Sequence, residues 1–444
     1  MALKGLDIFK YTPKTNCKEC GSPTCMAFSM KVAQGGLTLD KCPHMSPESL
    51  AKLGEATAPP MKALKIGAGE AEFGLGGETV LFRHEKTFVS KSLYAVSVCS
   101  DCADKVLPGV PKVDYERIGE RMRVELINVV YTGKKDAFLD TVKKAKAVKG
   151  RTLILDVQDL DAAKAALELT KADKPLLNGA NESNYEAMSK LATEAGVVLG
   201  VSGANLDSIY DTVQKLEALG NKNLVIDVGT ASVKDAFSNA VQIRRGALKD
   251  QDRSCGYPSI VNIAKIAPDD QAMQIALASL FTMKYGSIII LSGMTYAQAL
   301  PLYGLRQNIY TDPQKPMKVE PGIYKINGAD ENAICATTVD FALSYFVISG
   351  ELERSGVPVN LLISDAGGYS VLTSWAAGKL SAGSIAKFIK EKDIEGQIKN
   401  RNLILPGKVA VLKGELEESL PGWKIIVGPN EAVGAVKFLK ELKV

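Results

Sequence analysis

Histidine is almost absent: the 444 residues hold two, His44 and His84. A Ser-His-Asp hydrolase or a histidine-rich metal site is therefore not expected. Charge of one sign is missing as well. Lysine and arginine number 54 against 50 acidic residues, a balance of 54 − 50 = +4. Without a concentrated basic face, no nucleic-acid partner is expected. No run of about 18 apolar residues occurs, so no membrane span is expected. The opening MALKGLDIFKYTPKTNC lacks the apolar stretch of a signal peptide, which points to the cytoplasm. The cytosol keeps thiols reduced, so the eight cysteines need a reason other than disulfides.

What is present is a globular composition. It is 46% hydrophobic and 23% charged, which excludes a disordered or collagen-like chain. At roughly 150 residues per domain the length suggests about three domains. Half of the cysteines crowd into the first 42 residues, as Cys17, Cys20, Cys25 and Cys42. That marks a small N-terminal module over 1–57. It ends near TAPPMKA, where Pro59 and Pro60 forbid a continuing helix. Residues 58–92 form a linker whose glycine-rich stretch, with Gly74, Gly76 and Gly77, predicts a β-hairpin.

From residue 93 apolar strand candidates recur: LYAVSVC, VELINVVY, TLILDV, PLLNGA, VVLGV, NLVIDV and SIIILS. Helical stretches such as DAFLDTVKKAKAV and LDSIYDTVQKLEALG separate most of them, with apolar residues three and four apart. Such alternation implies a parallel sheet covered on both faces. Seven or eight β/α units over 93–311 fit a closed (β/α)8 TIM barrel, with an open doubly wound sheet as the alternative. Pro313, Pro316 and Pro321 mark a second boundary at 311–322. Residues 323–444 then form another α/β unit of doubly wound type. Its strands are expected at VNLLIS, VAVLKG and WKIIVG.

The spacing C-x2-C-x4-C-x16-C, followed by Pro43, offers four thiolates. Four is the number that holds a 4Fe-4S cluster. Four thiolates also suit tetrahedral zinc, although zinc sites usually take two C-x2-C knuckles. Cys99 and Cys102 form another C-x2-C with no second pair nearby. They, Cys255 and Cys335 are expected to be buried, inert thiols. In the last unit, a strand runs through Asp365-Ala366-Gly367-Gly368 into a helix. Glycines there let backbone approach a phosphate-bearing or nucleotide-like cofactor. A plain βα turn explains the same residues.

Taken together, the chain resembles the large subunit of the corrinoid/iron–sulfur protein of the acetyl-CoA pathway and its archaeal counterpart in the acetyl-CoA decarbonylase/synthase complex. The likeness runs over essentially the whole length. It is carried by NCKECGSPTCMAFSMKVAQGG…LDKCP, GGETVLFRHEKTF, RQNIYTDPQKP, GYSVLT, VAVLKG and GWKIIVGPNEA. The resemblance implies a 4Fe-4S domain on Cys17, Cys20, Cys25 and Cys42, a central barrel, and a C-terminal corrinoid-binding domain. The corrinoid contacts it implies are Thr338 (or Thr337), Ser344, Gly368, Tyr369, Ser370, Val371, Thr373 and Ala432. With no histidine in that domain and no D-x-H-x-x-G sequence, cobalt is expected to take no protein histidine; the corrinoid that the resemblance implies is of the base-off type.

The activity so implied is methyl carriage. Cob(I)amide takes a methyl group from methyltetrahydrofolate on a separate methyltransferase and delivers it as methyl-Co(III) to acetyl-CoA synthase/CO dehydrogenase. The 4Fe-4S cluster restores inactive Co(II). Implied partners are a small subunit in a heterodimer, the methyltransferase, the synthase and a reductive activator. The proline-bearing stretches suggest end domains that move against the barrel. Asn181, Asn205 and Asp227 at barrel strand ends raise a folate site, against a purely structural barrel. The competing functions are an iron–sulfur electron carrier without corrinoid, a pterin-dependent methyltransferase and a zinc scaffold.

Overall fold

The computed structural model describes residues 5–33, 37–57, 60–229, 232–311 and 317–442. Pro59, Pro313 and Pro316 lie outside the described residues. Two compact units divide the chain: 1–115 with 122–310, and 116–121 with 311–444. Among the described residues no helix is long and apolar enough to cross a membrane.

The first unit opens with the helices Gly5–Phe9, Cys25–Ala33 and Pro47–Thr57. Ile8, Phe28, Val32, Leu39, Cys42, Met45 and Leu53 form their small core. A hairpin follows: β1 (Leu64–Ile66) pairs antiparallel with β2 (Phe73–Leu75), Leu64 opposite Leu75. Gly67 and Gly76 turn the chain with φ of 80° and 75°. A Cβ on either would meet a backbone oxygen at about 2 Å, so only glycine fits.

Eight parallel strands then close a barrel. They are β3 (Leu93–Val98), β4 (Leu126–Val130), β5 (Thr152–Asp156), β6 (Leu176–Ala180), β7 (Val198–Val201), β8 (Leu224–Asp227), β9 (Ser259–Asn262) and β10 (Ile288–Leu291). β10 returns to β3 with Ile288 opposite Leu93. Seven of the strands coincide with the apolar runs; β9 does not. Its SIVN is short, half polar and preceded by Pro258, so periodicity could not raise it. The strands are apolar on both faces because each lies between helices and barrel interior.

The hairpin seals one end of the barrel. Leu64, Ile66 and Leu75 pack with Ala95, Leu126, Leu176, Val198, Val225, Ile260 and Ile288, most of them at strand starts. Gly67 N–H donates to Lys174 O (2.7 Å) and Lys62 N–H to Gly256 O (2.7 Å). The N-terminal mouth is thus plugged with apolar side chains, and polar chemistry is left to the other end. Leu75 is fully buried, so Leu75→Ala should cost about 2–5 kcal/mol. Denaturant unfolding checks this; a loss under 1 kcal/mol would show that the plug contributes little.

In the second unit β11 (Gly322–Ile326), β12 (Ile334–Val339), β13 (Val359–Ser364), β14 (Asn402–Leu405) and β15 (Lys424–Val427) form one sheet in the order β11-β13-β12-β14-β15. Only β11 runs antiparallel, with Gly322 opposite Ile363. Alternate residues serve opposite faces. Leu361 and Ile363 join Leu352 and Leu439 on one side, while Leu362 joins Ile385, Phe388 and Ile389 on the other. Helices Ala342–Ser355 and Ala435–Glu441 cover the first face; Ala382–Glu391 and Lys413–Ser419 cover the second. The chain leaves β12 toward β13 on one side and later returns to β14 on its other side. That places a topological switch point between β12 and β14, where ligands of open α/β sheets settle beyond the strand C-termini.

One expected strand is corrected. VAVLKG is not a strand: Gly407–Leu412 is a 3-10 helix, and the strand is NLIL just before it. Pro406 ends the strand, and Gly407 passes so close to Gly428 O that a Cβ would sit 2.6 Å away.

Candidate functional site

Cys17, Cys20 and Cys25 all lie close enough to Cys42 to act on it electrostatically. Cys25 opens the helix Cys25–Ala33, and Cys42 follows the short 3-10 turn Leu39–Lys41. Cys25 and Cys42 are buried, Cys20 half-buried and Cys17 exposed. Burial pushes the Cys42 thiol up, and the nearby charges of Cys20, Cys25 and Cys17 push it further. The loop that brings the sulfurs together is strained. Lys14, Asn16, Lys18 and Gly21 all have positive φ, of 58°, 51°, 68° and 73°. Asparagine is among the side chains that tolerate this region. Asn16 also ties the loop: its Oδ1 accepts from Cys25 N–H (2.8 Å), and its own N–H points at Cys25 Sγ (3.4 Å).

Ser22 lies between Cys20 and Cys25, is 2% exposed, and its hydroxyl has no hydrogen-bond partner among the described residues. A buried hydroxyl is costly to leave unpaired, so a sulfur-rich group beside it would suit it. His44 Nε2 sits 3.0 Å from Glu19 Oε2. The cysteine spacing points to candidate ligands; nothing in it reveals Asn16 or Ser22, whose roles depend on how the loop turns.

The second site lies at the strand C-termini of the second unit. Thr338 is buried on β12 and its Oγ1 lacks a partner among the described residues; the same holds for Thr337. Ser344 is half-buried in the first turn of Ala342–Ser355. Gly367 and Gly368, with φ of 76° and 77°, carry the chain over the end of β13. Tyr369 is exposed, with Lys379 Nζ 4.4 Å above its ring. Ser370 caps the short helix Val371–Ala376, and its Oγ lies 2.9 Å from Thr373 Oγ1. Ala432 is half-buried beyond β15. All eight expected contacts thus belong to the C-terminal ends of β12, β13 and β15 or the segments that follow them.

Asp340, one residue past β12, was not singled out from the sequence. It is 1% exposed and receives Ala366 N–H (2.9 Å) and Gly368 N–H (3.0 Å), with Lys318 Nζ at 3.4 Å. It shapes the glycine loop from beneath. An aspartate directly after a buried apolar strand was the available signal.

Large apolar side chains are exposed on the same segments: Leu343, Val347, Tyr369, Leu372, Trp375, Val411 and Val433. Among the described residues these are all the exposed large hydrophobics of the second unit. Each follows the C-terminal end of a strand. Such a concentration marks a ligand or partner surface.

The barrel's open mouth is polar. A cavity of about 510 Å³ is lined by Asp156, Asn178, Asn181, Asp227 and Lys265, among others. Asn181 and Asp227 share it. Asn205 is not among its lining residues and instead caps the helix Leu206–Ala218 by accepting from Ser208 N–H (2.9 Å). Asp227 accepts from Asn178 Nδ2 (3.0 Å) and Gly229 N–H (3.0 Å). Burial raises its carboxyl above the ordinary 3.8.

That shift has a sign. The buried carboxylate penalises the fold at neutral pH, and the penalty fades as pH falls through the raised folded value toward 3.8. Asp227→Asn carries no such charge, and Asn178, whose Oδ1 has no partner among the described residues, can turn to receive it. The variant should therefore melt above the parent at pH 7, with the gap shrinking at acid pH. A pH-independent gap would refute the reading.

Comparisons with known proteins give the chain's family. The family described as CO dehydrogenase/acetyl-CoA synthase delta subunit matches residues 63–439, and an Fe-S cluster family matches 13–44. The corrinoid/iron-sulfur protein large subunit of Moorella thermoacetica is 39% identical, over 99% of both chains. The acetyl-CoA decarbonylase/synthase complex subunit gamma of Methanothermobacter thermautotrophicus is 31% identical, over 100% of this chain and 99% of its own. That of Archaeoglobus fulgidus is 33% identical, over 97% and 96%. Among solved structures, 7,8-dihydropteroate synthase from Vibrio fischeri gives a TM-score of 0.36 at 14% identity, over 49% of this chain and 92% of its own. The delta-family match begins after the cysteine module, whereas the full-length relatives include it. The chain belongs to the family of corrinoid/iron-sulfur protein large subunits and acetyl-CoA decarbonylase/synthase gamma subunits.

Proposed function

We propose that this chain is the corrinoid-bearing methyl carrier of acetyl-CoA synthesis, with a 4Fe-4S cluster in its N-terminal module. The observation that carries the reading is the joint one at the strand ends of the second unit. There exposed apolar side chains lie on the segments that follow the strands, one of which, β12, bears unpaired, buried threonine hydroxyls. A corrinoid has an apolar macrocycle edged by amides and a phosphate, and that combination matches both features. When bound, the corrinoid supplies a cobalt centre that takes up and gives up a methyl group, and the cluster supplies the single electron that returns over-oxidised cobalt to its active state.

The chain's own residues hold, orient and shield. Thr338, Ser344, Ser370 and Thr373 offer hydroxyls, Thr337 being the alternative on the same strand. Gly368 and Tyr369 offer close backbone approach, while Val371 and Ala432 offer apolar contact. No histidine occurs after His84, so the second unit would offer a corrinoid no imidazole, and binding in the base-off form is part of this proposal.

The donor set also favours a cluster over a single ion. Zinc–sulfur bonds of about 2.3 Å put tetrahedral sulfurs roughly 3.8 Å apart. Here no three of the four cysteine sulfurs lie within 4.8 Å of one another; the described group that does is Cys17 with Glu19 and His44. A larger group suits the wider spacing. The proposed partners are a small subunit in a heterodimer, a methyltetrahydrofolate:corrinoid methyltransferase, acetyl-CoA synthase/CO dehydrogenase and a reductive activator, all in the cytoplasm.

The test is an anaerobic ultraviolet–visible spectrum with metal analysis, on the chain purified with its small subunit. About four iron and one cobalt per chain, with a base-off corrinoid spectrum, are expected. Iron without cobalt or corrin uptake favours the electron carrier. Zinc without visible absorption overturns both.

A further inference from the structure

Cys99 and Cys102 were expected to be buried, inert thiols; they are neither deeply buried nor apart. Cys99 directly follows β3, and both side chains are half-exposed. Their sulfurs lie 3.0 Å from each other. The intervening Ser100 and Asp101 form a tight turn: Cys102 N–H donates to Cys99 O (3.2 Å), and Ala103 N–H to the same oxygen (3.0 Å). Cys99 N–H in turn points at Cys102 Sγ (2.9 Å). The backbone therefore already holds the pair in ring-closing geometry. A disulfide of about 2.05 Å needs about 1 Å of further approach, within the reach of side-chain rotation.

A metal is the other use of a C-x2-C pair. A thiophilic ion takes three or four protein ligands. Among the described residues no third histidine, cysteine or carboxylate has a ligand atom close enough to join these two sulfurs. The remaining cysteines set a contrast. Cys335 is fully buried, and Cys255 is a lone thiol pushed up to about 11 by burial.

We infer that Cys99 and Cys102 form a reversible dithiol/disulfide site whose oxidising substrate is an external disulfide, of a small thiol or of a protein. Cys99, after losing its proton to water, attacks one sulfur of the external disulfide. A mixed disulfide forms, and the first thiolate leaves and takes up a proton. Cys102 then loses its proton to water and attacks Cys99 Sγ. The internal disulfide forms, and the second thiolate leaves and is protonated. Two electrons and two protons pass from the pair to one external disulfide, giving two free thiols, and an external dithiol reverses the sequence. The two sulfurs are alike in exposure, and the same steps balance equally with Cys99 and Cys102 exchanged. The inference stands apart from the methyl-carrier reading, since it uses neither the cluster cysteines nor the second unit.

The test uses the full-length chain with its iron–sulfur group in place, under anaerobic glutathione buffers of stepped reduced-to-oxidised ratio. Samples are quenched with an alkylating reagent and read as peptides by mass spectrometry. The peptide bearing Cys99 and Cys102 should lose two hydrogens reversibly, at ratios where Cys255 and Cys335 still alkylate as free thiols. Cys102→Ala and Cys99→Ala should each trap glutathione on the remaining sulfur, where the parent resolves the mixed disulfide and releases it. Two free thiols at every ratio, or no trapping by either variant, would overturn the assignment.

Discussion

Cys42→Ala protein, purified without oxygen, is expected to hold well under one iron per chain, against about four expected of the unaltered chain. Its brown absorbance should vanish. Cys42 is the distant member of the ligand set, and it is buried in the same small core as Ile8, Phe28 and Val32. Its loss opens the ligand ring and leaves a void in the module's centre. A module of this size buries too little apolar surface to stand securely alone, so metal binding and folding are coupled. Proteolysis should consequently cut within residues 13–44, while the barrel, with its own closed core, still melts cooperatively. Iron retained at the parental level would show that three cysteines suffice and that Cys42 serves packing. Cys17→Ala provides the graded comparison. Cys17 is exposed, so its removal should cost the metal, and the protection the metal gives the module, without opening a void in the core.

The parts of this architecture that periodicity encodes were legible in the residues. Strands buried on both faces, such as LINVV and IIIL, leave unbroken apolar runs, and amphipathic helices between them announce a barrel. β9 escaped because four half-polar residues carry no period. β12 escaped for a different reason: Thr337 and Thr338 interrupt the apolar residues of ICATTV, so it leaves no unbroken apolar run. VAVLKG misled because an apolar run cannot distinguish a strand from a 3-10 turn packed against one. The candidate cluster ligands were legible because sulfur spacing is a chemical signature in itself. Asn16, Ser22 and Asp340 were not. Each acts through a backbone that has first to fold: Asn16 through a left-handed φ, Ser22 through burial between two ligands, Asp340 through N–H groups from a loop twenty-six and more residues away. Cys99 and Cys102 show the converse. Their spacing was seen, but only the geometry brought their sulfurs together at the barrel's rim.

Asp340→Ala is expected to cut corrinoid retention at least tenfold while leaving the iron content unchanged. The carboxylate is buried and receives the N–H groups of Ala366 and Gly368, the latter at 3.0 and 3.1 Å to its two oxygens. Hydrogen bonds to a charged group contribute about 1.5–3 kcal/mol each. Alanine removes both and leaves two buried donors unpaired. Gly367 and Gly368 already occupy the left-handed region, and glycine has the most backbone freedom to regain when released. The loop should therefore lose its shape before the sheet loses its stability. Tyr369 and Ser370 sit directly beyond it, so their approach to a ligand is lost with it. Lys318, 3.4 Å from the carboxylate and 3.6 Å from Asp365, would keep only the weaker, exposed partner. Asp340→Asn retains one acceptor oxygen without the charge and should fall between the two. The measurement is cobalt per chain and uptake of added hydroxocobalamin, read beside far-ultraviolet circular dichroism to show that the unit is still folded. A folded Asp340→Ala chain that retains cobalt as the parent does would mean that the ligand is held by the apolar surface alone, and that the glycine loop is an ordinary turn.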